Sequence, residues 1–337
     1  MVNPLRDWRI DPTDVIWVGS DLQRPECILA EADSTLWTAD ARGGVVRISV
    51  DGSQHLITAR PSHRFNLDDD LASSLLEGNL PNGLALGPEG EFYIANFGTD
   101  RLEVMTRNGE LSVLADNIEG VPLGKVNFVL RDRRDRLWIT VSTMVNPWSD
   151  AIQSGLADGY VAVLDDHGLH VVADGFSFAN EIRFDSDEKW LYVAETTAKR
   201  VTRLRLDDDA NVTGREVYGP STLGRGLIDG ITFDAYGNLW ATMIFADRLV
   251  AVTPEGDLLE LLDDGDPGAT DEFEAAFETG QPVPFEVMAR TGGDLAPWLA
   301  SVTFGSSDLR TIYLGSLRGS RIPSFRSPVA GSPPSHW

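Results

Sequence analysis

The sequence is poor in cysteine and contains no long apolar run. Cys27 is the single cysteine among 337 residues, which excludes an intrachain disulfide and a zinc cluster built from thiolates. No apolar run approaches the roughly 20 residues that a membrane-spanning helix needs, and residues 1–7 lack the apolar stretch of a signal peptide. We therefore expect a cytoplasmic protein that does not bind a membrane.

Positive charge is also scarce. The chain carries 28 Lys and Arg residues against 52 Asp and Glu residues, for a net charge of −24. Nucleic-acid binding depends on Lys and Arg side chains that neutralise phosphates, so this balance argues against a nucleic-acid partner. An acidic surface keeps a protein soluble, and it is also compatible with binding of a cation.

The sequence does contain an internal repeat. A short apolar run, a turn of Asp, Gly, Asn or Ser, and a second apolar run led by an aromatic residue recur six times, which predicts β-hairpins. The aromatic residues stand 45 to 73 residues apart, at Trp37, Tyr93, Trp138, Tyr192, Trp240 and Tyr313. A second hairpin follows in each of the first five units. Units of about four strands at this period predict an all-β fold, a six-bladed β-propeller with four-stranded blades.

The chain ends and one long interval complete this prediction. We expect a single propeller domain over residues 1–337, with the unassigned strand at residues 15–18 closing the last blade. Helical spacing of apolar residues predicts a helical insertion at about residues 268–299, which either packs on the rim or acts as a lid. Residues 326–337 predict a C-terminal arm, and the three adjacent acids at 68–70 predict a solvated turn.

A polar residue precedes most of the aromatic residues at a fixed distance. Counting back 11 or 12 residues from each aromatic gives Glu26, Asn82, Asn127, Asn180, Asp229 and Ser301. The innermost strand of each blade lines the central channel, so we expect these side chains to meet at one axis. Glu26 and Asp229 would then bring two negative charges into a buried space, which requires a positive partner.

Two kinds of positive partner are open. Arg24 and Lys125 each stand two residues before a member of the set, so an ion-pair cluster is one interpretation. A hard divalent cation is the other. The set offers only oxygen donors and none of the five histidines falls in phase, which disfavours zinc, copper and iron and favours Ca²⁺ over Mg²⁺.

An ordered set of motifs supports the second interpretation. The motifs are Arg24-Pro25-Glu26-Cys27-Ile28, Lys125-Val126-Asn127-Phe128, Phe178-Ala179-Asn180-Glu181-Ile182-Arg183-Phe184, Asp229-Gly230-Ile231-Thr232-Phe233 and Val302-Thr303-Phe304-Gly305. With them the chain resembles, over about residues 15–329, the SMP-30/gluconolactonase/regucalcin-like family of calcium-dependent propeller lactonases. The resemblance implies that Glu26, Asn127, Asn180 and Asp229 surround the metal ion. Asn82 is expected beside these ligands or against the substrate.

The third blade departs from the family pattern. Sugar-lactonase members typically carry Asp-Gly after the blade-three asparagine, whereas this chain has Phe128-Val129, and Lys125 replaces a common arginine. With Phe128, Trp148 and Phe178 expected near the mouth, we predict a substrate less polar than a sugar lactone. Lys125 is expected either to hold a substrate carboxylate or to pair with a surface acid.

The resemblance implies a hydrolase that opens a small-molecule lactone. In this hypothesis the metal ion stabilises the oxyanion and Asp229 is the general base. Two alternatives remain at this point. One is an organophosphate hydrolase of the diisopropyl fluorophosphatase type, and the other is a non-catalytic calcium-binding scaffold whose site is sealed from solvent.

Overall fold

Six four-stranded antiparallel sheets build the protein. The computed structural model describes residues 2–59, 71–334 and 336, so the turn predicted at residues 68–70 lies outside the described residues. Each sheet is one blade, and the inner strand of every blade contacts the inner strands of both neighbouring blades, which closes a ring. The predicted six-bladed propeller is confirmed.

The strands follow one another blade by blade, beginning with a strand that belongs to the last blade. This first strand is β1 (Ile16–Val18). Blade 1 consists of β2 (Ile28–Ala30), β3 (Leu36–Asp40), β4 (Gly44–Ile48) and β5 (Gln54–Thr58). Blade 2 consists of β6 (Pro81–Leu86), β7 (Phe92–Asn96), β8 (Arg101–Met105) and β9 (Leu111–Ala115). A small hairpin follows, formed by β10 (Asn117–Ile118) and β11 (Val121–Pro122).

The remaining blades have the same organisation. Blade 3 consists of β12 (Val126–Arg131), β13 (Leu137–Val141), β14 (Gly159–Asp165) and β15 (Gly168–Phe176). Blade 4 consists of β16 (Ala179–Phe184), β17 (Trp190–Glu195), β18 (Arg200–Leu206) and β19 (Val212–Tyr218). Blade 5 consists of β20 (Leu227–Phe233), β21 (Leu239–Ile244), β22 (Arg248–Val252) and β23 (Leu258–Asp263). Blade 6 adds β24 (Leu299–Gly305), β25 (Thr311–Ser316) and β26 (Ile322–Arg326).

The N-terminal strand completes blade 6, as predicted. β1 pairs antiparallel with β26, with Trp17 opposite Pro323, so the sheet runs β24-β25-β26-β1. The segment before β1 adds apolar contacts to this closure: Leu5 is fully buried, and the ring of Trp8 lies 5.9 Å from that of Trp240. Pairing the two ends of the chain in one sheet leaves the ring without a loose seam.

The repeated aromatic residue has a local structural role. The indole Nε1 of Trp138 donates to Asp132 at 2.9 Å, and that of Trp240 donates to Asp234 at 2.9 Å. In blade 1 Trp37 donates to Glu31 at 2.8 Å. In each case an acid at the start of the hairpin turn accepts from the tryptophan six residues later, so the repeat that is visible in the sequence records a turn-closing hydrogen bond.

Helices gather at one end of the channel. They are α1 (Leu71–Leu76), a 3₁₀ helix (Trp148–Ala151), α2 (Pro267–Glu278) and α3 (Phe285–Arg290), with a further 3₁₀ helix at Pro12–Asp14. All but the last lie in connections at the end where the inner strands begin, and we call these four helices the cap. The predicted helical insertion is thus present as α2 and α3. In the described ranges no helix combines the length and the apolar character needed to cross a membrane.

Aspartates fix the insertion. The side chain of Asp266 caps α2 by accepting from Ala269 N at 2.7 Å, and Pro267 occupies the first turn, where its missing N–H costs nothing. Phe273 and Phe277 on α2 pack with Val287 and Met288 on α3 in one buried cluster. Asp247 accepts from the backbone N–H groups that lead back into blade 6, and so holds the end of the insertion.

Candidate metal centre and active site

The inner strands are irregular where they begin. In blades 2 to 6 the pairing of the inner strand with the next strand shifts register at its first residues. Asn82, Asn127, Asn180 and Asp229 each lie inside such a shift. A β-bulge of this kind turns a side chain away from its regular direction, which explains how one polar residue in each of blades 2 to 5 comes to face the channel axis.

Glycine allows the strands to come this close. Gly230 follows Asp229, and a Cβ atom there would lie 2.5 Å from the carbonyl oxygen of Ala300 in the next blade. A Cβ at Gly83, which follows Asn82, would lie 2.6 Å from the Cα of Phe128. Neighbouring inner strands therefore touch backbone to backbone directly below the polar residues.

Five of the six polar residues at the counted positions line one small cavity, and Ser301 of blade 6 does not. Glu26, Asn82, Asn127, Asn180 and Asp229 surround a space of about 40 Å³ at the cap end of the channel. Each of these side chains is at most 5% exposed. The convergence on one axis that the repeat predicts is therefore present, across five different blades.

Asn82 holds Glu26 in place. Its amide nitrogen donates to Glu26 Oε1 at 2.9 Å and to the carbonyl oxygen of Asn127 at 3.0 Å. Its own oxygen accepts from Arg24 Nη2 at 2.5 Å. Because that oxygen is already used by a guanidinium, Asn82 orients the neighbouring carboxylate and does not offer the cavity a free oxygen.

Three other oxygens in the cavity are unsatisfied. Glu26 Oε2, Asn127 Oδ1 and Asn180 Oδ1 are buried and have no hydrogen-bond partner within residues 2–59, 71–334 and 336. Buried acceptors normally have a partner, and each one left without costs about 1–3 kcal/mol. Three such oxygens on one cavity wall, together with the Asp229 carboxylate, are a donor set that fits a hard cation.

The two buried carboxyl groups also favour a cation in this cavity. Burial raises the pKa of Glu26 to about 8, although the nearby Arg24 lowers it. Burial, followed by repulsion from Glu26 and Glu181, also raises the pKa of Asp229 well above its ordinary value. A bound cation reverses such shifts, because it favours the ionised form of both carboxyls.

Arg24 alone does not balance the site. Its Nη1 lies 3.8 Å from Glu26 Oε2 and donates to Pro81 O at 3.0 Å. One guanidinium supplies a single positive charge against the two carboxylates, and it leaves the oxygens of Asn127 and Asn180 without a partner. The ion-pair interpretation thus explains only part of the arrangement.

The amide oxygens are essential to any metal site here. Among the residues that the structure describes, no group of three or more His, Cys, Asp or Glu side chains is arranged to hold a metal ion. A cation in this cavity would depend on two carboxylates and two amide oxygens. Such oxygen-rich ligation suits Ca²⁺ better than zinc, copper or iron.

Apolar side chains form the walls between this polar layer and the cap. They are Phe97, Trp148, Ile152, Phe178, Ile244, Phe245 and Leu317. Trp148 donates to the carbonyl oxygen of Leu75 at 3.1 Å, which ties the 3₁₀ helix to α1. Phe178 has a φ of 59°, a conformation uncommon outside glycine that marks functional sites more often than other positions. The predicted wall residues Trp148 and Phe178 are both present.

Phe128 and Lys125 require a correction. Phe128 does not line this cavity, because regular pairing resumes directly after the bulge at Asn127 and turns the phenyl ring toward the other end of the channel. Lys125 lies outside it as well. Its Nζ pairs with Asp100 at 3.0 Å, which is the arrangement of the salt-bridge alternative, and its contact with substrate stays a prediction.

The sequence reasoning did not identify two polar residues of the cavity wall as site residues. Arg24 is expected only as a counter-charge, but it lies in the irregular segment before β2, two residues from Glu26, and lines the cavity as well. Thr196 accepts from the amide nitrogen of Asn180 at 3.1 Å and thereby leaves the oxygen of Asn180 facing the cavity. It directly follows β17, a position that the repeat pattern does not single out.

The fold agrees with comparisons to known proteins. Residues 24–265 match the model of the SMP-30/Gluconolactonase/LRE-like region family, so the chain belongs to this family. It is 26% identical over 271 residues to 6-deoxy-6-sulfogluconolactonase from Pseudomonas putida, which covers 79% of this chain and 78% of the relative.

A second sequence relative and a solved structure are also similar to this chain. The chain is 28% identical over 162 residues to serum paraoxonase/arylesterase 1 from Homo sapiens, covering 47% of this chain and 42% of that protein. Among solved structures, a calcium-binding protein, regucalcin, from Agrobacterium tumefaciens superposes with a TM-score of 0.66 at 16% identity, over 94% of this chain and 96% of that one. This likeness supports the propeller fold.

Proposed function

We propose that this protein is a metal-dependent lactonase, with a divalent cation, Ca²⁺ by preference, held by Glu26, Asn127, Asn180 and Asp229. The observation that carries the proposal is the set of three buried oxygens without partners beside the Asp229 carboxylate. Support comes from relatives whose names describe hydrolysis of sugar lactones, and from the calcium-binding regucalcin with the same fold.

The bound cation would supply Lewis-acid polarisation of the lactone carbonyl and electrostatic stabilisation of the oxyanion. The residues of the chain supply the remainder. Asp229 accepts a proton from water as the water oxygen bonds to the carbonyl carbon. The ring C–O bond then breaks, the leaving alkoxide takes the proton back from Asp229, and the product is a hydroxy acid that ionises to the hydroxycarboxylate. Asn82 keeps Glu26 oriented through the hydrogen bond at 2.9 Å, and so fixes the geometry around the reacting carbonyl.

We also assign Arg24 to the substrate, as a hydrogen-bond donor. It lines the cavity, it is 4% exposed, and its Nε has no hydrogen-bond partner among the described residues. A buried guanidinium N–H without a partner can donate to a carbonyl or carboxylate oxygen. We propose that it orients the ester group while Asp229 acts on the water.

The walls favour a substrate less polar than a sugar lactone. Beyond the proposed ligands and Asn82, the described residues that line the cavity include two polar side chains, Arg24 and Thr196, against seven apolar ones. The hydroxyl groups of a sugar lactone would lose their hydrogen bonds to water on such walls and regain few, which costs binding energy. A lactone with an alkyl or aromatic substituent would lose few hydrogen bonds to water on entering the same cavity.

Substrate entry requires movement of the cap. A cavity of about 40 Å³ holds only a few water molecules, which is less than the volume of any lactone. Rotation of wall side chains such as Trp148, or displacement of the helices that carry them, would enlarge it. We therefore propose the lid role for the helical cap.

The test is a substrate panel run with and without a chelator. We expect δ-decalactone to be hydrolysed faster than glucono-1,5-lactone, and the activity to disappear with chelator and return with Ca²⁺. Faster turnover of the phosphotriester paraoxon than of every lactone would point to the organophosphate hydrolase. Stoichiometric Ca²⁺ with no turnover of any panel member would identify a binding scaffold.

A further inference from the structure

A second cavity lies at the other end of the channel, where the inner strands end in their hairpin turns. Its volume is about 670 Å³, inside the range of roughly 300–1,000 Å³ that is common for small-molecule sites. Cys27 and Phe128 line it, and they directly follow Glu26 and Asn127 of the polar layer. One layer of side chains therefore separates this space, which we call the basal cavity, from the proposed metal site.

Arg183 brings a positive charge to the inner part of the basal cavity. Its Nη2 lies 2.7 Å from Oε2 of the buried Glu181, and its Nη1 donates to Ile182 O at 2.8 Å. The guanidinium carbon lies 4.6 Å from the centre of the Phe128 ring, and the side chain keeps 20% of its surface exposed. A guanidinium has more N–H groups than these two contacts use, so it can bind a further anion from the cavity side.

The carboxylates on the described cavity wall are already engaged, Glu188 by Arg133 and the two aspartates in their hairpin turns. Asp234 accepts from Trp240 Nε1 at 2.9 Å and from Asn238 Nδ2 at 2.7 Å. Asp185 accepts from the backbone N–H of Lys189 at 2.9 Å. These acids stabilise the turns, whereas the inner wall presents the cation of Arg183, so the arrangement favours a ligand with one negative charge at its inner end.

Apolar side chains share the wall of the basal cavity with these polar groups. Leu86, Leu130, Phe184 and Phe233 line the space between Arg183 and the mouth. A hydrocarbon chain or an aromatic ring of a ligand would lose its contact with water against these side chains, which favours binding. A fully polar anion such as phosphate would leave these walls unused.

We propose that the basal cavity binds an amphipathic monocarboxylate, with its carboxylate paired to Arg183 and its hydrocarbon body against Leu86, Leu130 and Phe184. Arginine and carboxylate form short, charge-assisted and often bidentate contacts, so this pair fixes the orientation of the ligand. A hydroxy acid released by the proposed lactonase and an unrelated fatty or aromatic acid share this chemistry. The proposal does not depend on the lactonase activity.

Calorimetric titration of the full-length, Ca²⁺-loaded protein with sodium octanoate tests the proposal. We expect one site per chain with a Kd below about 1 mM, and no saturable binding of 1-octanol, which has the chain but not the charge. Arg183→Gln is expected to weaken octanoate binding at least tenfold. The matched control Arg205→Gln, at an exposed position on β18, is expected to leave it unchanged.

A second variant covers the case in which Arg183→Gln fails to fold, since that change leaves the buried Glu181 without its partner. Ser186 is exposed at the cavity rim, so Ser186→Trp preserves the core and narrows the entrance. We expect at least a fivefold loss of octanoate affinity, and none for Ser53→Trp in the outer turn of blade 1.

Distinct results would overturn the proposal. They are absence of binding up to about 10 mM octanoate, equal binding of 1-octanol, or unchanged affinity in both Arg183→Gln and Ser186→Trp. Titration with 5-hydroxyoctanoate separates the two ligand sources. Tighter binding than octanoate supports a product of the protein's own reaction, and equal binding supports a general carboxylate site.

Discussion

The two ends of the central channel use the same inner strands for opposite purposes. At the cap end, bulges turn Asn127 and Asp229 to the axis, and helices close over a cavity of about 40 Å³. At the base, regular pairing leads into short turns around a cavity of about 670 Å³. The contrast indicates that reactive polar groups lie where the strands are irregular and covered, whereas the regular ends leave room for recognition.

The largest effect is expected from Asp229→Asn, which removes the proposed base and one ligand while keeping the shape of the side chain. Loss of a general base alone costs about 10²–10⁴-fold, so we expect kcat/KM for δ-decalactone to fall at least about 10³-fold. Asp263→Asn, at an exposed position on β23, is the control and should keep its activity. Retention of more than a tenth of the activity in Asp229→Asn would exclude Asp229 as the base.

Asp247→Ala is expected to weaken the cap end selectively. The Asp247 carboxylate accepts from Gly293 N at 2.6 Å, Trp298 N at 3.1 Å and Leu299 N at 2.9 Å. Leaving buried N–H groups without a partner costs about 1–3 kcal/mol each, partly recovered by water, so we expect a loss of about 3 kcal/mol in the free energy of unfolding.

Urea unfolding of Asp247→Ala beside Asp263→Ala checks this value. Octanoate binding at the base of the folded variant should stay within twofold of the parent protein. A change of less than 1 kcal/mol would show that Asp247 does not anchor the insertion.

Trp148→Ala tests the apolar wall. Its ring lies 6.4 Å from Phe178 and forms part of the surface that we assign to the substrate substituent. We expect the preference for δ-decalactone over glucono-1,5-lactone to fall about tenfold, because apolar contacts of this size are worth about 1–3 kcal/mol in discrimination. The ratio of the two kcat/KM values measures it, with Trp17→Ala on β1 as the control. An unchanged ratio contradicts the assignment of the wall.

The smallest effect on catalysis is expected from Phe128→Leu. The ring lies on the base side of the polar layer and stacks with Arg183, so its loss should cost about 1 kcal/mol of stability. Turnover of δ-decalactone should stay within about threefold of the parent protein. A tenfold rise in KM for δ-decalactone would show that Phe128 contacts the substrate. It would contradict the separate roles that we assign to the two ends of the channel.

The sequence was sufficient for the fold because each blade repeats the same local chemistry. Trp138 and Trp240 mark the repeat through their hydrogen bonds to Asp132 and Asp234, and a counted distance from the aromatic locates the inner strand. The same count found Glu26 and Asp229 although they lie in different blades. Because the blades repeat, residues that are far apart in the chain but close in space occupy the same position within each repeat.

The direction of Phe128, the partner of Lys125 and the position of the cap depend on features that leave no repeated pattern in the sequence. Alternation along a strand does not reveal a one-residue bulge, so the direction of Phe128 could not be read from its position beside Asn127. The partner of Lys125 is Asp100, in a loop of another blade, and ion pairs of this kind are set by tertiary packing. The closure of the cap over the site likewise follows from contacts among separate insertions.

The central claim is that the cap-end cavity binds one divalent cation. Calorimetric titration of chelator-treated protein with Ca²⁺ tests it most directly, beside the double variant Glu26→Gln and Asp229→Asn. We predict one Ca²⁺ per chain for the parent protein and no measurable binding for the double variant, with both proteins folded by circular dichroism. Absence of stoichiometric binding in the parent protein, or full binding in the double variant, would contradict the account.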